Sequence, residues 1–370
     1  MKNPKFHENP LGFIKKVLRK FHLTKQIFRT FIKLLHSMKH FCAFLAFLLL
    51  AFIGRAQDIH WSQFNDNPVF QNPGNAGNFN GDVRFVGNFR DQWRAVSVPY
   101  QTLSLSADGK LYNYRALGIG GLFFHDVTGD GRLRTIELQA NVSYLLKLTK
   151  DSTHTIRPGI NIGMNHRQVN WDAFKFGNQY NGQYYDGGLS NNELYSNDKR
   201  TNFSAGAGIT YQYLIGKRKT LEAGVALFNI NRPDQGFFGQ KIPRDMRTNI
   251  SARLSYPLGF DWDIIPSIQV SLQGKYREII FGSSVKYTLI NRLSKYRAVY
   301  AGVWYRTIDA AYLTVGMDYQ QWFVGLSYDM NFSTLTKASR ARGGFEIAVR
   351  YILVRFKPKK IAHRICPDYI

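Results

Sequence analysis

Hydrophobic and polar residues alternate with a period of two along most of the chain after Gly81. Between Thr135 and Leu146, for example, apolar side chains fall on one face while Thr, Glu, Gln, Asn and Ser fall on the other. The pattern recurs in about fourteen segments of roughly ten residues each, separated by clusters of turn-forming residues. A period of two is the side-chain period of a β-strand whose two faces meet different surroundings. The sequence therefore predicts an all-β protein.

Three architectures produce this periodicity: a pair of β-sandwiches, a β-propeller, and a transmembrane antiparallel β-barrel. Many apolar faces end in aromatic residues, such as Tyr144, Tyr256, Trp322 and Tyr351, which suit the water interface of a bilayer. The opposite faces carry Gly, Ser, Asn, Gln and Arg, as expected for a hydrated or side-chain-filled lumen. No repeat with a fixed propeller-like period is visible. The pattern favours an outer-membrane barrel over residues 81–356, in which closure pairs every backbone amide.

The N-terminal residues follow a different pattern. A run of apolar residues from Phe41 to Ile53 comes after a basic flank and ends in Gly54-Arg55-Ala56, with small residues at the positions that a signal peptidase requires. We therefore predict a secretory signal peptide over residues 38–56 and a mature chain that begins at Gln57. Residues 1–37 are interpreted as a basic leader or as the product of a misassigned start. No run of 18 apolar residues occurs, which excludes a helical membrane protein.

Composition and charge exclude some classes of protein and of binding partner. Hydrophobic residues make up 44% of the chain, which excludes a disordered protein. The formal net charge is +24, and because eleven basic residues and one acidic residue precede Gln57, the mature chain carries +14. In an exported protein this excess favours anionic lipid headgroups or an acidic partner over nucleic acid. Cys42 leaves with the signal peptide and Cys366 then has no partner, so no disulfide holds the fold.

Three segments of the mature chain lie outside the alternation. Residues 57–80 are rich in turn-forming and aromatic residues and are predicted to form a plug within the barrel or a periplasmic arm beneath it. The connection from Gln168 to Lys199 is the longest, and long barrel loops usually face the cell exterior. Residues 357–370 are predicted to form a C-terminal tail. The candidate partner-binding residues in the first two segments are Trp61, Phe64, Trp171, Tyr180, Tyr184 and Tyr185.

One stretch has the spacing of a calcium-binding loop. The candidate ligands are Asp126, Thr128, Asp130 and Glu137, with Gly131 at the turn position. The competing interpretation is a β-hairpin with an Asp-Gly turn, because Arg132 and Arg134 would repel a cation and the flanks have strand periodicity. No G-x-S-x-G motif, phosphate loop or paired-histidine zinc motif occurs. We predict no cofactor and no catalysis, and a Ser and His lipase site assembled by the fold is the enzymatic alternative.

Several spaced motifs occur in the order typical of a known family. The mature chain begins Gln57-Asp58-Ile59-His60-Trp61-Ser62-Gln63-Phe64, followed by Asn67-Pro68, Arg90-Asp91-Gln92-Trp93 and Pro99-Tyr100-Gln101-Thr102. This order resembles the PorP/SprF family of Bacteroidetes outer-membrane proteins, which is associated with type IX secretion and gliding motility. The resemblance covers the whole mature chain. The ending Cys366-Pro367-Asp368-Tyr369-Ile370 departs from the Cys-Pro-Arg-Phe of many members.

The resemblance implies a non-enzymatic barrel in the cell outer membrane. Such a barrel would support export, retention or display of a surface protein with a type B C-terminal sorting domain. One branch of the family instead belongs to the core envelope complex, and the sequence does not assign the chain to either branch. Other secretion-system envelope proteins and outer-membrane lipid are further expected partners, and nucleic acid is not. The polar inward faces leave a second hypothesis, an outer-membrane diffusion channel or hydrophobic-solute transporter.

Overall fold

A computed structural model of the protein describes residues 59–94, 98–192, 197–292, 295–332, 336 and 342–354. The predicted leader, signal peptide and C-terminal tail lie outside the described residues. Within them, no helix has the length and apolarity needed to cross a membrane.

The described residues form fifteen β-segments. They are β1 (Val83–Gln92), β2 (Tyr100–Lys110), β3 (Leu117–Thr128), β4 (Leu133–Tyr144), β5 (Leu146–Lys147), β6 (His154–Gln168), β7 (Lys199–Leu214), β8 (Thr220–Phe228), β9 (Arg247–Pro257), β10 (Trp262–Gln273), β11 (Tyr276–Arg292), β12 (Lys295–Arg306), β13 (Ala310–Tyr319), β14 (Trp322–Asn331) and β15 (Arg342–Leu353). Because β4 and β5 pair with successive parts of β6, they form one interrupted strand. The sheet therefore has fourteen strands.

The sheet closes on itself. Each strand pairs antiparallel with its neighbours in the chain, and β1 also pairs with β15 over Val83↔Leu353 to Asp91↔Phe345. Pairing between β4 and β6 completes the ring. Closure leaves no unpaired sheet edge within hydrocarbon, which is the condition for a sheet to span a membrane. The predicted transmembrane β-barrel is confirmed, and the sandwich and propeller alternatives are wrong.

The two faces of the barrel wall have opposite character. On β6, Ile160 and Ile162 are 58% and 64% exposed on the outer surface, whereas Asn161 and Asn165 are each 3% exposed. A soluble protein buries its aliphatic side chains and exposes its amides. The reversed arrangement indicates that lipid surrounds the wall and that polar side chains fill the lumen.

The two ends of the barrel differ in the length of their connections. One end carries short turns, such as residues 215–219 and 320–321. We call it the short-turn end. The other, the long-loop end, carries residues 169–198 between β6 and β7 and residues 229–246 between β8 and β9. In bacterial outer-membrane barrels the short turns face the periplasm and the long loops face the exterior.

Residues 59–80, here called the N-terminal segment, lie within the ring of strands. Ser62 contacts β14 and β15, Asn72 contacts β7 and β8, and Gly77 contacts β2, so the segment reaches different sides of the wall. Its helical turns are Phe64–Asp66, Pro68–Gln71 and Pro73–Asn75. Barrel diameter grows with strand number, and about eight strands are filled by wall side chains alone. A fourteen-stranded barrel is wider, and here the N-terminal segment occupies the additional space.

Candidate functional site

A group of buried charged residues fixes the start of the N-terminal segment to the wall near the long-loop end. This ion cluster consists of Ser62, Arg90, Glu278, Arg306, Asp329 and Glu346, each at most 2% exposed. Its charged members come from β1, β11, β12, β14 and β15, at the ends of these strands that adjoin the long loops. For Asp329 and Glu346 the inward direction follows from the strand alternation, because each lies between two outward apolar neighbours.

Ser62 is the centre of the ion cluster. Its Oγ donates to the Asp329 carboxylate at 2.7 Å and accepts hydrogen bonds from the guanidinium groups of Arg90 and Arg306. Asp329 also accepts from Arg90 at 2.8 Å and from Arg306 at 3.1 Å. A single hydroxyl group of the N-terminal segment thus links three strands of the wall.

Glu346 binds the backbone of the same turn. Its carboxylate accepts from the backbone N–H of Ser62 at 2.8 Å and from that of Gln63 at 2.9 Å, while Arg90 donates to it at 3.1 Å. Buried carboxylates are tolerated only when they are paired and hydrogen-bonded. Arg90 and Arg306 supply the counter-charges, and the N-terminal segment supplies three further hydrogen-bond donors to these carboxylates, so wall and segment stabilise each other.

Aromatic packing reinforces this attachment. The ring of Phe64 lies edge-on to Trp304 with 5.4 Å between centroids, and Trp61 meets Phe70 at 6.3 Å. Trp61 and Phe64 are 1% and 3% exposed. Both predicted partner-binding residues therefore lie in the lumen, and a role for them toward another protein stays a prediction.

The second half of the N-terminal segment is bound by amide groups. Asn72 accepts from the backbone N–H of Gly74 at 2.8 Å and donates to the carbonyl oxygens of Ile209 and Val225 at 3.0 and 3.2 Å. These contacts explain the Asn-Pro-Gly sequence, because a Cβ on Gly74 would meet the carbonyl oxygen of Arg157 at 2.5 Å. The segment is therefore anchored at several points along its path through the lumen.

Aromatic residues of the two longest loops gather outside the lumen. Trp171 lies 6.1 Å from Phe237 and 5.1 Å from Phe238 between ring centroids, so the loops 169–198 and 229–246 meet. The predicted partner-binding tyrosines lie on the first of these loops, and Tyr180, Tyr184 and Tyr185 are 57%, 61% and 40% exposed. We call these six residues the loop patch.

The predicted calcium ligands lie on the β3–β4 hairpin and are only partly brought together. Asp126 is buried and accepts from the Thr102 hydroxyl at 2.7 Å, whereas Asp130 is exposed in the turn. Thr128 donates to the Leu133 carbonyl at 3.4 Å. Glu137 accepts from Asn165 at 2.8 Å and pairs with Arg244 at 3.2 Å.

No cluster of three or more His, Cys, Asp and Glu side chains within the described ranges is placed to hold a metal ion. The hairpin itself has the Asp-Gly turn that the competing interpretation specified. Calcium binding stays a prediction.

Comparison with known proteins identifies the family. The family model described as "Type IX secretion system membrane protein PorP/SprF" matches residues 53–351. The chain belongs to the PorP/SprF family. It is a membrane β-barrel of the type IX secretion system and resides in the outer membrane. No curated protein is a significant match.

Solved structures similar to this PorP/SprF protein are outer-membrane barrels of low sequence identity. The Ralstonia pickettii toluene transporter TbuX is 12% identical, with 81% of this chain and 96% of that chain covered and a TM-score of 0.46. The Pseudomonas putida toluene transporter TodX is 11% identical, with 80% and 95% covered and a TM-score of 0.46. A Pseudomonas aeruginosa FadL homologue is 9% identical, with 77% and 94% covered and a TM-score of 0.42.

The ion cluster brings together two of the sequence motifs that carry the family resemblance. Ser62 and Gln63 belong to the motif at the mature start, and Arg90 begins the Arg90-Asp91-Gln92-Trp93 motif. They meet in space at Glu346. The wall partners Glu278, Arg306, Asp329 and Glu346 are not among the residues that the sequence analysis singled out. They could have been recognised as charged residues at inward positions of strands whose other inward residues are mostly uncharged.

Proposed function

We propose that this PorP/SprF protein acts without catalysis as an outer-membrane holder for a secreted surface protein. The loop patch at its long-loop end binds the type B C-terminal sorting domain of that partner, and retention there supports surface display and gliding-type adhesion. The observation that carries the proposal is the exposed aromatic surface, built by two long loops on a barrel whose lumen contains its own N-terminal segment.

The chemistry of the loop patch suits protein binding. Trp and Tyr are enriched at the energetic centres of protein interfaces, because they bury large areas and also offer a polar group. Tyr180 and Tyr185 form an isolated β-bridge, and the Lys175 ammonium lies 5.0 Å from the Tyr185 ring centroid. These contacts hold a tyrosine-rich surface in one arrangement before a partner arrives, which lowers the entropic cost of binding.

The second loop is also fixed internally. Asp234 accepts from the backbone N–H groups of Gly236 at 3.1 Å and Ile242 at 2.7 Å, and it pairs with Arg200 of β7. These backbone hydrogen bonds, with a smaller contribution from Arg200, lower the pKa of the Asp234 carboxyl. The aromatic residues Phe237 and Phe238 follow directly, so the ionised carboxylate helps to position them against Trp171.

The occupied lumen supports a holder over the alternative diffusion channel. Solute passage needs a continuous aqueous path, and the N-terminal segment lies across the lumen with contacts to β2, β7, β8, β14 and β15. A partner held on the outer loops does not need such a path.

We expect loss of aromatic residues in the loop patch to abolish partner retention. Trp171→Ala combined with Tyr184→Ala should reduce recovery of the co-purifying surface protein by roughly tenfold or more, because interface aromatics commonly contribute more than 1 kcal/mol each. Affinity isolation from outer membranes, followed by mass spectrometry, measures this recovery. Deletion of the gene should abolish display of that same protein at the cell surface.

Phe260→Ala provides a matched control. Phe260 is an aromatic residue that is 98% exposed, and it lies in the turn after β9 at the opposite end of the barrel. This variant should recover the partner as the natural protein does. Undiminished recovery by the loop-patch variant, or unchanged surface display after gene deletion, would contradict the proposal.

A further inference from the structure

A polar cavity of about 400 Å³ lies at the short-turn end of the lumen, beneath the N-terminal segment. We call it the vestibule. Five cationic side chains line it: Arg84, Lys110, Arg157, Arg253 and Arg350. Among the described residues, Glu222 is the one acidic side chain that lines it. This imbalance gives the vestibule a cationic wall, and its volume is within the range of about 300–1,000 Å³ that is typical of small-ligand sites.

Three of these cations are neutralised by carboxylates. The pairs are Arg84 with Asp108 at 2.8 Å, Arg253 with Glu222 at 2.5 Å, and Arg350 with Asp66 at 3.1 Å and Asp318 at 3.5 Å. These groups hold one another and stabilise the wall.

Arg157 differs from them. Its side chain is buried, with the residue only 4% exposed, and NH1 donates to the Ser143 hydroxyl at 3.3 Å and the Ala116 carbonyl at 3.5 Å. Its Nε–H is buried without a hydrogen-bond acceptor, and no carboxylate of the described residues lies within 4.0 Å of it. The Asp108 carboxylate attracts Arg157 electrostatically but is itself hydrogen-bonded to Arg84. A buried guanidinium group with a shared counter-charge is costly, and an anion in the vestibule would reduce this cost.

Lys110 provides a second cation on the same cavity. It is partly buried at the end of β2, where its ammonium donates to the Phe79 carbonyl oxygen and lies 5.3 Å from the Phe79 ring centroid. None of the ion pairs among the described residues includes it. Arg157 and Lys110 thus approach the vestibule from two different strands, β6 and β2.

We propose that the vestibule is a binding site for an oxyanion, a phosphate or carboxylate group, held by Arg157 and Lys110. Guanidinium and ammonium groups form charge-assisted hydrogen bonds to such oxygens. Side-chain amides in the vestibule lining, those of Asn78 and Asn80, carry N–H groups for the remaining oxygens. The group enters from the short-turn end and is either free in solution or carried as a carboxylate by an acidic peptide segment. This site is independent of the loop patch at the other end.

Binding of inorganic phosphate to the purified full chain in detergent, measured by calorimetry at constant ionic strength in chloride, tests the proposal. The natural protein should bind phosphate saturably. Arg157→Gln and Lys110→Gln should each weaken affinity by about tenfold or more, because each removes a charge-assisted hydrogen bond to the bound oxyanion. Lys150→Gln removes a charge from an exposed turn at the same end, outside the vestibule, and should change affinity less than about twofold.

A short acidic peptide with a free C-terminal carboxylate, compared with a neutral amidated peptide, distinguishes the two sources. Saturable binding of phosphate alone identifies a free oxyanion, and preferential binding of the acidic peptide identifies a peptide carboxylate. If Arg157→Gln fails to fold, Lys110→Gln, at the partly buried end of β2, tests the proposal in its place. Absence of saturable binding by both probes, or equal affinity of the natural protein and the folded variants, would overturn the proposal.

Discussion

Removal of residues 59–80 is expected to turn a closed barrel into a conducting pore. A fourteen-stranded barrel lies between eight-stranded barrels, which their own side chains fill, and those of 16–18 strands, which enclose an aqueous channel. Here the N-terminal segment fills the part of the lumen that the wall side chains leave open, with residues such as Trp61 and Asn72 buried against the wall. In planar bilayers the natural protein should show no steady conductance, whereas the deletion variant should insert with large, uniform conductance steps.

A deletion of similar length in the long loop, residues 172–192, is the matched control and should leave the barrel closed. Steady conductance of the natural protein would contradict the plug interpretation of residues 59–80 and favour the diffusion-channel hypothesis. A folded deletion variant that remains closed would show that other parts of the chain block the lumen.

The second large effect is expected at the ion cluster. Arg306→Met should lower the free energy of unfolding by about 3–5 kcal/mol, because it leaves buried carboxylates without their counter-charge. Arg306 contacts Asp329 at 3.1 Å, Asp309 at 2.8 Å and Glu278 at 3.7 Å. Reversible unfolding by denaturant in lipid vesicles measures the change.

Arg297→Met is the matched control on the same strand. Arg297 lies at the other end of β12, 4.7 Å from the Tyr319 ring centroid, in a partly exposed position. Its loss should cost about 1 kcal/mol or less. Combining Arg306→Met with Asp329→Asn should cost less than the sum of the single changes, because the two residues share one interaction. Additive costs, or equal costs at Arg306 and Arg297, would contradict a coupled cluster.

The strands could be predicted from the sequence because lipid requires an apolar side chain at nearly every outward position of the membrane-spanning wall. The predicted segment 154–166 corresponds to β6 (His154–Gln168), and 262–274 corresponds to β10 (Trp262–Gln273). Alternation identifies the face of each side chain, since a shift of one residue would move all of them to the wrong face. The bounds of the long connection also agree, because the predicted limits Gln168 and Lys199 are the last residue of β6 and the first residue of β7.

The candidate site could not be predicted in the same way. Ser62 and Glu346 are separated by 284 positions, and alternation says only that Glu346 points inward, not which group it meets. The contact depends on the stagger between β1 and β15 and on the path of a segment with no periodicity. The sequence therefore leaves residues 57–80 open between a plug within the barrel and a periplasmic arm, and it does not indicate which groups Arg306 contacts.

The ion cluster and the loop patch lie at the same end of the barrel. Ser62 and Glu346 meet near the strand ends that lead into the long loops, whereas Lys110 and Arg157 lie at the opposite end. In our proposal the long-loop end holds the exported partner and the closed lumen keeps the membrane sealed. The two ends therefore have separate chemistry, and variants of one should leave the other intact.

Accessibility to lipid and to water along β6 tests the lipid-facing closed barrel most directly. Spin labels attached to single cysteines at positions 160–165, in a Cys366→Ser background reconstituted in lipid vesicles, report contact with oxygen in the bilayer or with a water-soluble relaxation agent. A lipid-facing closed barrel predicts strict alternation, with Ile160, Ile162 and Met164 accessible to oxygen and Asn161 and Asn165 shielded from it. Equal contact of both faces with the water-soluble agent would contradict a lipid-facing closed barrel.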